Sequence, residues 1–175
     1  MSEPAPDTAD LRAGAPIHDA LLALLPLVGR WRGGGAGVVA RSGAEFRYGQ
    51  QIAIVHDGRP FLAYESRSWL LDEDGSVLRQ AWRESGFWRP GPGPDDVELV
   101  LASNTGQALV FTGTAGDQRW ELMTTSAEHA PSAKAVDGER RLYAVRGDEL
   151  IYATELAPGG EQFAPHLNAA LTRQR

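Results

Sequence analysis

Four histidines are the side chains of this chain best suited to metal binding or acid–base chemistry, and they occupy positions 18, 56, 129 and 166. The sequence contains no cysteine, which excludes disulfides, thiol nucleophiles, iron–sulfur clusters and thiolate metal sites. His18 falls in the short helix predicted before the first strand, and His129 falls in the polar stretch "SAEHAPS". Both are expected to face solvent. His56 precedes an Asp-Gly turn, where a hydrogen bond within the turn is the expected role.

His166 differs from the other three because it lies in "FAPHLNAALTR", within the last apolar segment of the chain. On a strand it would share a face with Asn168 and Ala170. Two interpretations stay open. The imidazole is either a hydrogen-bonded histidine of a barrel wall or the single protein ligand of a metal held in a macrocycle.

The stretch "LVGRWRGGGAGVV" places glycines in series along a segment that otherwise alternates like a β-strand. Its odd positions put Gly29, Trp31, Gly33 and Gly35 on one face, and its even positions put arginines on the other. Arginine is expected in water, so the glycine face is predicted to be the inner one. The lack of side chains at these glycines then either leaves a cavity inside the barrel or lets the strand bend.

Common catalytic and nucleotide-binding motifs are not found in the sequence. "GGGAGVV" lacks the third glycine of a dinucleotide fingerprint and no Gly-Lys-Ser/Thr follows it. "DEDG" resembles the start of a calcium loop, but its glycine comes two residues too early. No G-x-S-x-G or H-E-x-x-H occurs. A nucleotide-binding protein, a calcium loop, a serine hydrolase and a zinc protease are therefore all disfavoured.

The hydrophobic pattern predicts an all-β protein with one short helix at its N-terminal end. Apolar residues recur at helical spacing in "IHDALLALLPLVG", which predicts a helix over 17–27. Ten alternating segments separated by turn residues follow, at 29–40, 45–56, 60–71, 76–89, 96–103, 107–114, 118–126, 135–146, 149–157 and 163–173. Ten short strands in series predict a ten-stranded antiparallel up-and-down β-barrel, because closure removes exposed sheet edges.

The length of the chain and its net charge limit the number of domains and the kinds of binding partner. The 175 residues are expected to form one barrel domain over 17–175, preceded by a disordered tail over 1–16 that is rich in proline and alanine. A net charge of -6 disfavours nucleic acid as a partner. The longest apolar run is too short to span a bilayer, and no signal peptide is recognisable. We expect a cytoplasmic monomer or homodimer with a small-molecule partner.

The sequence resembles the nitrobindins, a family of small haem-binding β-barrels. "GRWRGGG" fits the family signature G-x-W-x-G-x-G, with Gly29, Trp31, Gly33 and Gly35 at its fixed positions. The segments "HDGRPFLAYESRSW", "RESGFWRP", "VELVLASNTG", "APSAKAV" and "PHLNAALTRQ" follow in the family's order. The resemblance covers about residues 17–175.

The resemblance implies a cofactor, a site and an activity. It implies ferric haem b, with His166 as the iron ligand, Lys134 in contact with the haem, and the four signature residues named above among the haem-binding positions. The implied reaction is isomerisation of peroxynitrite to nitrate, with nitric oxide as a further ligand. No distal histidine can be assigned. The alternative function is a non-enzymatic carrier of a hydrophobic ligand, or a haem-based nitric oxide sensor.

Overall fold

Ten antiparallel strands close on themselves in the computed structural model, which describes residues 3–160 and 162–175. Each strand pairs with the next along the chain, and β1 also pairs with β10, so the barrel has no free edge among these strands. The strands are β1 (Gly29–Val38), β2 (Glu45–Val55), β3 (Leu62–Leu71), β4 (Val77–Pro90), β5 (Asp96–Ser103), β6 (Gln107–Gly116), β7 (Arg119–His129), β8 (Glu139–Arg146), β9 (Glu149–Leu156) and β10 (Ala164–Gln174). The predicted up-and-down barrel is confirmed.

The predicted strands agree with the observed ones to within a few residues at each end. The largest difference is at β8, which begins at Glu139 instead of residue 135, because residues 130–138 form a loop between β7 and β8. No helix in the part of the chain that the structure describes is long and apolar enough to cross a membrane.

The alternation predicted for β1 is confirmed. Arg30 and Arg32 are exposed, whereas Trp31 is fully buried inside the barrel. The inner face of β1 is therefore the glycine face. This fixes which residues of the neighbouring strands can reach the barrel interior.

A 3₁₀ helix over Asp19–Leu27 closes the end of the barrel at which β1 begins. The sequence predicts a helix there, and its 3₁₀ geometry is seen in the i→i+3 bonds from Leu21 to His18 and from Val28 to Leu25. Two barrel tryptophans hold this helix: the Nε1 atom of Trp31 donates to the Leu27 carbonyl at 3.0 Å, and that of Trp120 donates to the Ala23 carbonyl at 2.9 Å. A second 3₁₀ turn, Pro158–Gly160, connects β9 to β10.

In the structure, the glycines of β1 allow the backbones of β1 and β10 to approach closely. The structure does not support the idea that they leave a cavity inside the barrel. A Cβ atom added to Gly33 would overlap the carbonyl oxygen of Ala170, and one added to Gly35 would overlap that of Asn168. Both oxygens belong to the backbone of β10. The glycines are therefore needed where β1 curves against β10, which is the second of the two interpretations.

The segment before the helix makes one strand-like contact with the barrel. Thr8 and His56 exchange two backbone hydrogen bonds of 2.8 and 3.0 Å. The β2–β3 ladder ends at Val55, so the backbone groups of His56 are available to the N-terminal segment. Composition alone predicts disorder for residues 1–16, of which 1 and 2 lie outside the described residues.

Candidate functional site

A cavity of about 520 Å³ opens at the end of the barrel opposite the helix. Its walls come from β4, β5, β6, β8, β9 and β10, from the residues that follow β1, and from the loop between β7 and β8. Most of its accessible lining is apolar, and the larger apolar side chains are Val39, Trp82, Leu101, Leu109, Val136, Leu156 and Leu167. A volume of this size with apolar walls is typical of sites for small ligands and cofactors.

A β-bulge turns His166 into this cavity. The pairing of β10 with β9 shifts register between Pro165 and Leu167, so His166 is the extra residue. The expectation that His166 shares a face with Asn168 and Ala170 is therefore wrong, since those two residues are exposed whereas His166 is half-buried and lines the cavity. Simple alternation cannot place a residue that sits in a bulge.

The orientation of the His166 ring is fixed by the backbone of β1. Its Nδ1 atom lies 2.9 Å from the carbonyl oxygen of Val38, and because a carbonyl can only accept, Nδ1 carries the proton. In a neutral imidazole Nε2 is then the unprotonated nitrogen, whose lone pair can bind a metal ion. Burial lowers the pKa of His166, the Val38 hydrogen bond opposes that shift, and the charge of Arg141 adds to it.

Two cationic side chains stand at the rim of the cavity. Lys134 lies in the loop between β7 and β8, and Arg41 follows β1; both line the opening and both are exposed. Two hydrogen bonds hold the loop, because the Gln107 side chain donates to the Lys134 carbonyl at 3.0 Å and His129 Nε2 accepts from the Val136 amide at 2.9 Å. Lys134 is thus carried on a constrained segment beside the opening.

A buried ion network forms part of the cavity wall. Arg141 donates two bonds to Glu84 across the barrel, of 2.6 and 2.9 Å, and one of 2.7 Å to Glu139 on its own strand. The side chains of Arg141, Glu84 and Glu139 are 2%, 11% and 9% exposed. Burial raises the pKa of Glu139, and the Arg141 charge works against that rise. The bidentate pair supplies the geometry that a buried guanidinium needs.

The residues predicted as site residues fall into two groups. His166 and Lys134 line the cavity together. Gly29, Trp31, Gly33 and Gly35 are not among the residues that line it: Trp31 packs at the helix-capped end, and Gly33 and Gly35 face the β10 backbone. The structure gives these four residues a role in shaping the barrel.

The other histidines take no part in the cavity lining. His18 is exposed and its Nδ1 caps the helix by accepting from the Ala20 amide at 3.1 Å. His129 is exposed at the end of β7, as expected for a solvated residue. His56 is 1% exposed, and neither ring nitrogen finds a hydrogen-bond partner among the described residues. The expected turn hydrogen bond of its side chain is therefore wrong.

Several cavity residues are not identified by motif searching. Trp82, Glu84, Glu139, Arg141 and Tyr152 line the cavity beside His166. The alternation of two strands is a signal that could have identified the charged residues among them. On β4, Glu84 lies on the same face as Trp82 and Trp88. On β8, Glu139 and Arg141 lie on the same face as Tyr143. Charged residues at the parity of buried aromatic residues indicate a polar patch inside a barrel.

The donor set fits a haem better than a bare metal ion. No group of three or more His, Asp or Glu side chains that could hold a metal occurs within residues 3–160 and 162–175, so an ion at His166 would have fewer than three protein ligands of these types. A porphyrin supplies four nitrogen ligands itself and needs one axial imidazole, an apolar slot and cations for its carboxylates. His166 Nε2, the apolar cavity walls, and the rim cations Lys134 and Arg41 meet these three needs.

Comparisons with known proteins agree with this geometry. The model of a family described as "THAP4-like, heme-binding beta-barrel domain" matches residues 20–173. "Peroxynitrite isomerase 2" of Mycolicibacterium vanbaalenii is 45% identical over 95% of this chain and 83% of its own length. "Peroxynitrite isomerase 1" of Mycobacterium ulcerans is 44% identical over 95% of this chain and 90% of its own. The crystal structure of Rv2717c from M. tuberculosis superposes with a TM-score of 0.79 at 35% identity, covering 91% of this chain and 99% of that one.

Proposed function

Because this chain belongs to the family of THAP4-like, heme-binding β-barrel domains, we propose that it is a haem b protein that isomerises peroxynitrite to nitrate. The relatives that carry the name peroxynitrite isomerase match nearly the whole chain. The observation that carries the proposal is the orientation of His166. Its Nδ1–H is held by the Val38 carbonyl, which leaves Nε2 unprotonated on a ring that lines an apolar cavity large enough for a cofactor.

Three groups of cavity residues have a role in this proposal. His166 would supply the protein nitrogen that holds the iron, and the Val38 carbonyl fixes its tautomer and increases its basicity. Lys134 pairs with a haem propionate at the rim, an exposed contact of about 0–1 kcal/mol that orients more than it holds. The aliphatic side chains around the cavity exclude bulk water.

Ferric haem, when bound, would supply a Lewis acid that activates peroxynitrite. The apolar walls of the cavity would confine the fragments of peroxynitrite and exclude water, so that nitrogen and oxygen recombine as nitrate. No general acid or base is required for this isomerisation, and none is assigned. Nitric oxide is a second small ligand that the same site would accept.

Haem titration of the wild type and two histidine variants tests the proposal. His166→Ala is expected to abolish stable binding of ferric haem, seen as loss of the Soret band, while far-UV circular dichroism stays unchanged. His18→Ala is the matched control, because it removes an exposed histidine at the helix-capped end of the barrel, outside the cavity lining, and is expected to keep the Soret band. A wild-type Soret spectrum in the His166 variant would assign the iron to another residue. A haem-free wild type that takes up fatty acid would favour a carrier of hydrophobic ligands.

A further inference from the structure

All four tyrosines of the chain lie inside the barrel, and one of them differs from the rest. Tyr48 donates its hydroxyl hydrogen to the Asn168 carbonyl at 3.0 Å, and the hydroxyls of Tyr64 and Tyr143 pair with each other at 3.4 Å. Tyr152 is the tyrosine that lines the cavity with His166, and its hydroxyl makes no hydrogen bond within the described parts of the chain. Its ring is 1% exposed to bulk solvent and packs on the Tyr143 ring at 5.0 Å.

The cavity offers few side chains that an oxidant can attack. The sequence has no cysteine, and its two methionines are Met1, outside the described residues, and Met123, which is 47% exposed on β7 and outside the cavity lining. Thiols and thioethers, the usual first targets of oxidants, are therefore not among the residues that line the cavity. Apart from His166, the electron-rich rings that line it are Tyr152 and Trp82.

We propose that Tyr152 is a nitration site, at which the protein is modified by peroxynitrite that reacts in its own cavity. The inference rests on the proposed function, because it takes peroxynitrite as the molecule that reacts beside His166. The modification competes with isomerisation whenever nitrogen fails to recapture oxygen and the nitrogen dioxide fragment meets the cavity wall. Tyr152 is the phenol that this fragment can reach without leaving the barrel.

The net step balances without another reactant. The O–O bond of peroxynitrite and the C–H bond beside the Tyr152 hydroxyl break, and a C–N bond to the ring forms. The two peroxide oxygens gain the electron pair that the ring loses, and the ring proton leaves with the released oxygen as hydroxide. Burial raises the pKa of the Tyr152 phenol well above its usual value, so the side chain enters the reaction as a neutral phenol.

Peptide mass spectrometry of the haem-loaded protein tests the proposal. Tryptic cleavage separates the candidates, because Tyr152 falls alone in the peptide 147–173, Tyr143 in 142–146, and Tyr48 and Tyr64 in 48–67, where fragment ions distinguish them. After addition of peroxynitrite, the mass change of one nitro group replacing one hydrogen is expected on Tyr152 several-fold more often than on any other tyrosine. The haem-free protein, treated in the same way, is expected to lose this preference.

Two variants complete the test. Tyr152→Phe is expected to abolish the nitro signal in 147–173 and to keep the Soret band and far-UV circular dichroism. Tyr143→Phe is the matched control, since it removes a buried hydroxyl outside the cavity lining and is expected to leave Tyr152 nitration unchanged. Predominant nitration of Trp82 or of another tyrosine, equal nitration with and without haem, or no nitration would each overturn the proposal.

Nitrate yield, measured in the same samples, reports on the proposed function separately. Accelerated nitrate formation without nitrated Tyr152 contradicts the nitration site and leaves the isomerase intact. Nitrated Tyr152 without accelerated nitrate formation supports the nitration site and contradicts the isomerase.

Discussion

His166 shows how one irregular residue can decide the chemistry of a regular barrel. The bulge between Pro165 and Leu167 brings its ring into the cavity, and the Val38 carbonyl then selects the tautomer. A strand without the bulge would place residue 166 on the outer face with Asn168. The candidate site therefore depends on the β-bulge as much as on the imidazole.

The lowered pKa of His166 predicts a pH dependence of folding in the haem-free protein. Well above a pH of about 6.5 the imidazole is neutral in both the folded and the unfolded chain and contributes nothing to the pH dependence of folding. As the pH falls below that value, the unfolded chain binds a proton that the folded chain takes up only at lower pH, so folding stability is lost.

Urea unfolding at about pH 7.5 and about pH 5.5 measures this effect. The wild type is expected to lose more free energy of unfolding between the two conditions than His166→Gln, which cannot titrate. Because all other groups titrate in both proteins, the difference isolates His166. Equal losses would contradict the predicted shift.

At the scale of elements, the contact between β1 and β10 explains the glycine series. Gly35→Ala places a Cβ atom against the Asn168 carbonyl, and backbone on both sides leaves little room to adjust. We expect the free energy of unfolding to fall by about 1–3 kcal/mol or more, as for other overpacked sites. Thermal or urea unfolding of the haem-free protein measures it.

Gly116→Ala in β6 is the matched control for this prediction. The nearest atom to an added Cβ at Gly116 is the Arg119 carbonyl oxygen at 3.9 Å, which is ordinary contact, and a change within about 0.5 kcal/mol is expected. If Gly35→Ala unfolds like Gly116→Ala and loses haem instead, the interior role first considered for the glycines would be restored.

The sequence predicts the strands better than it predicts the site, for a physical reason. Alternation and turn residues are local, so ten strands and the inward face of Trp31 can be found without tertiary information. The link between Arg141 and Glu84 joins residues 57 positions apart across the barrel, and no local pattern encodes that distance. The role of the β1 glycines likewise appears only when β10 is placed beside them.

For the molecule as a whole, deletion of the N-terminal segment tests how much that segment stabilises the barrel. Deletion of residues 1–15 removes the two backbone hydrogen bonds between Thr8 and His56, each contributing about 0.5–1.5 kcal/mol. The melting temperature is expected to fall by about 2–4 °C for each kcal/mol lost. A melting temperature equal to that of the full chain would favour the disordered tail that composition predicts.

In the proposed function, one imidazole converts a barrel cavity into a haem site that isomerises peroxynitrite. Stopped-flow decay of peroxynitrite, with nitrate quantified at the end, tests that claim most directly in the haem-loaded wild type and in His166→Ala mixed with the same amount of ferric haem. The wild type is expected to accelerate the decay and to convert peroxynitrite to nitrate, and the variant to do no more than free haem does. Equal acceleration by both proteins, or a wild type no faster than free haem, would contradict the account.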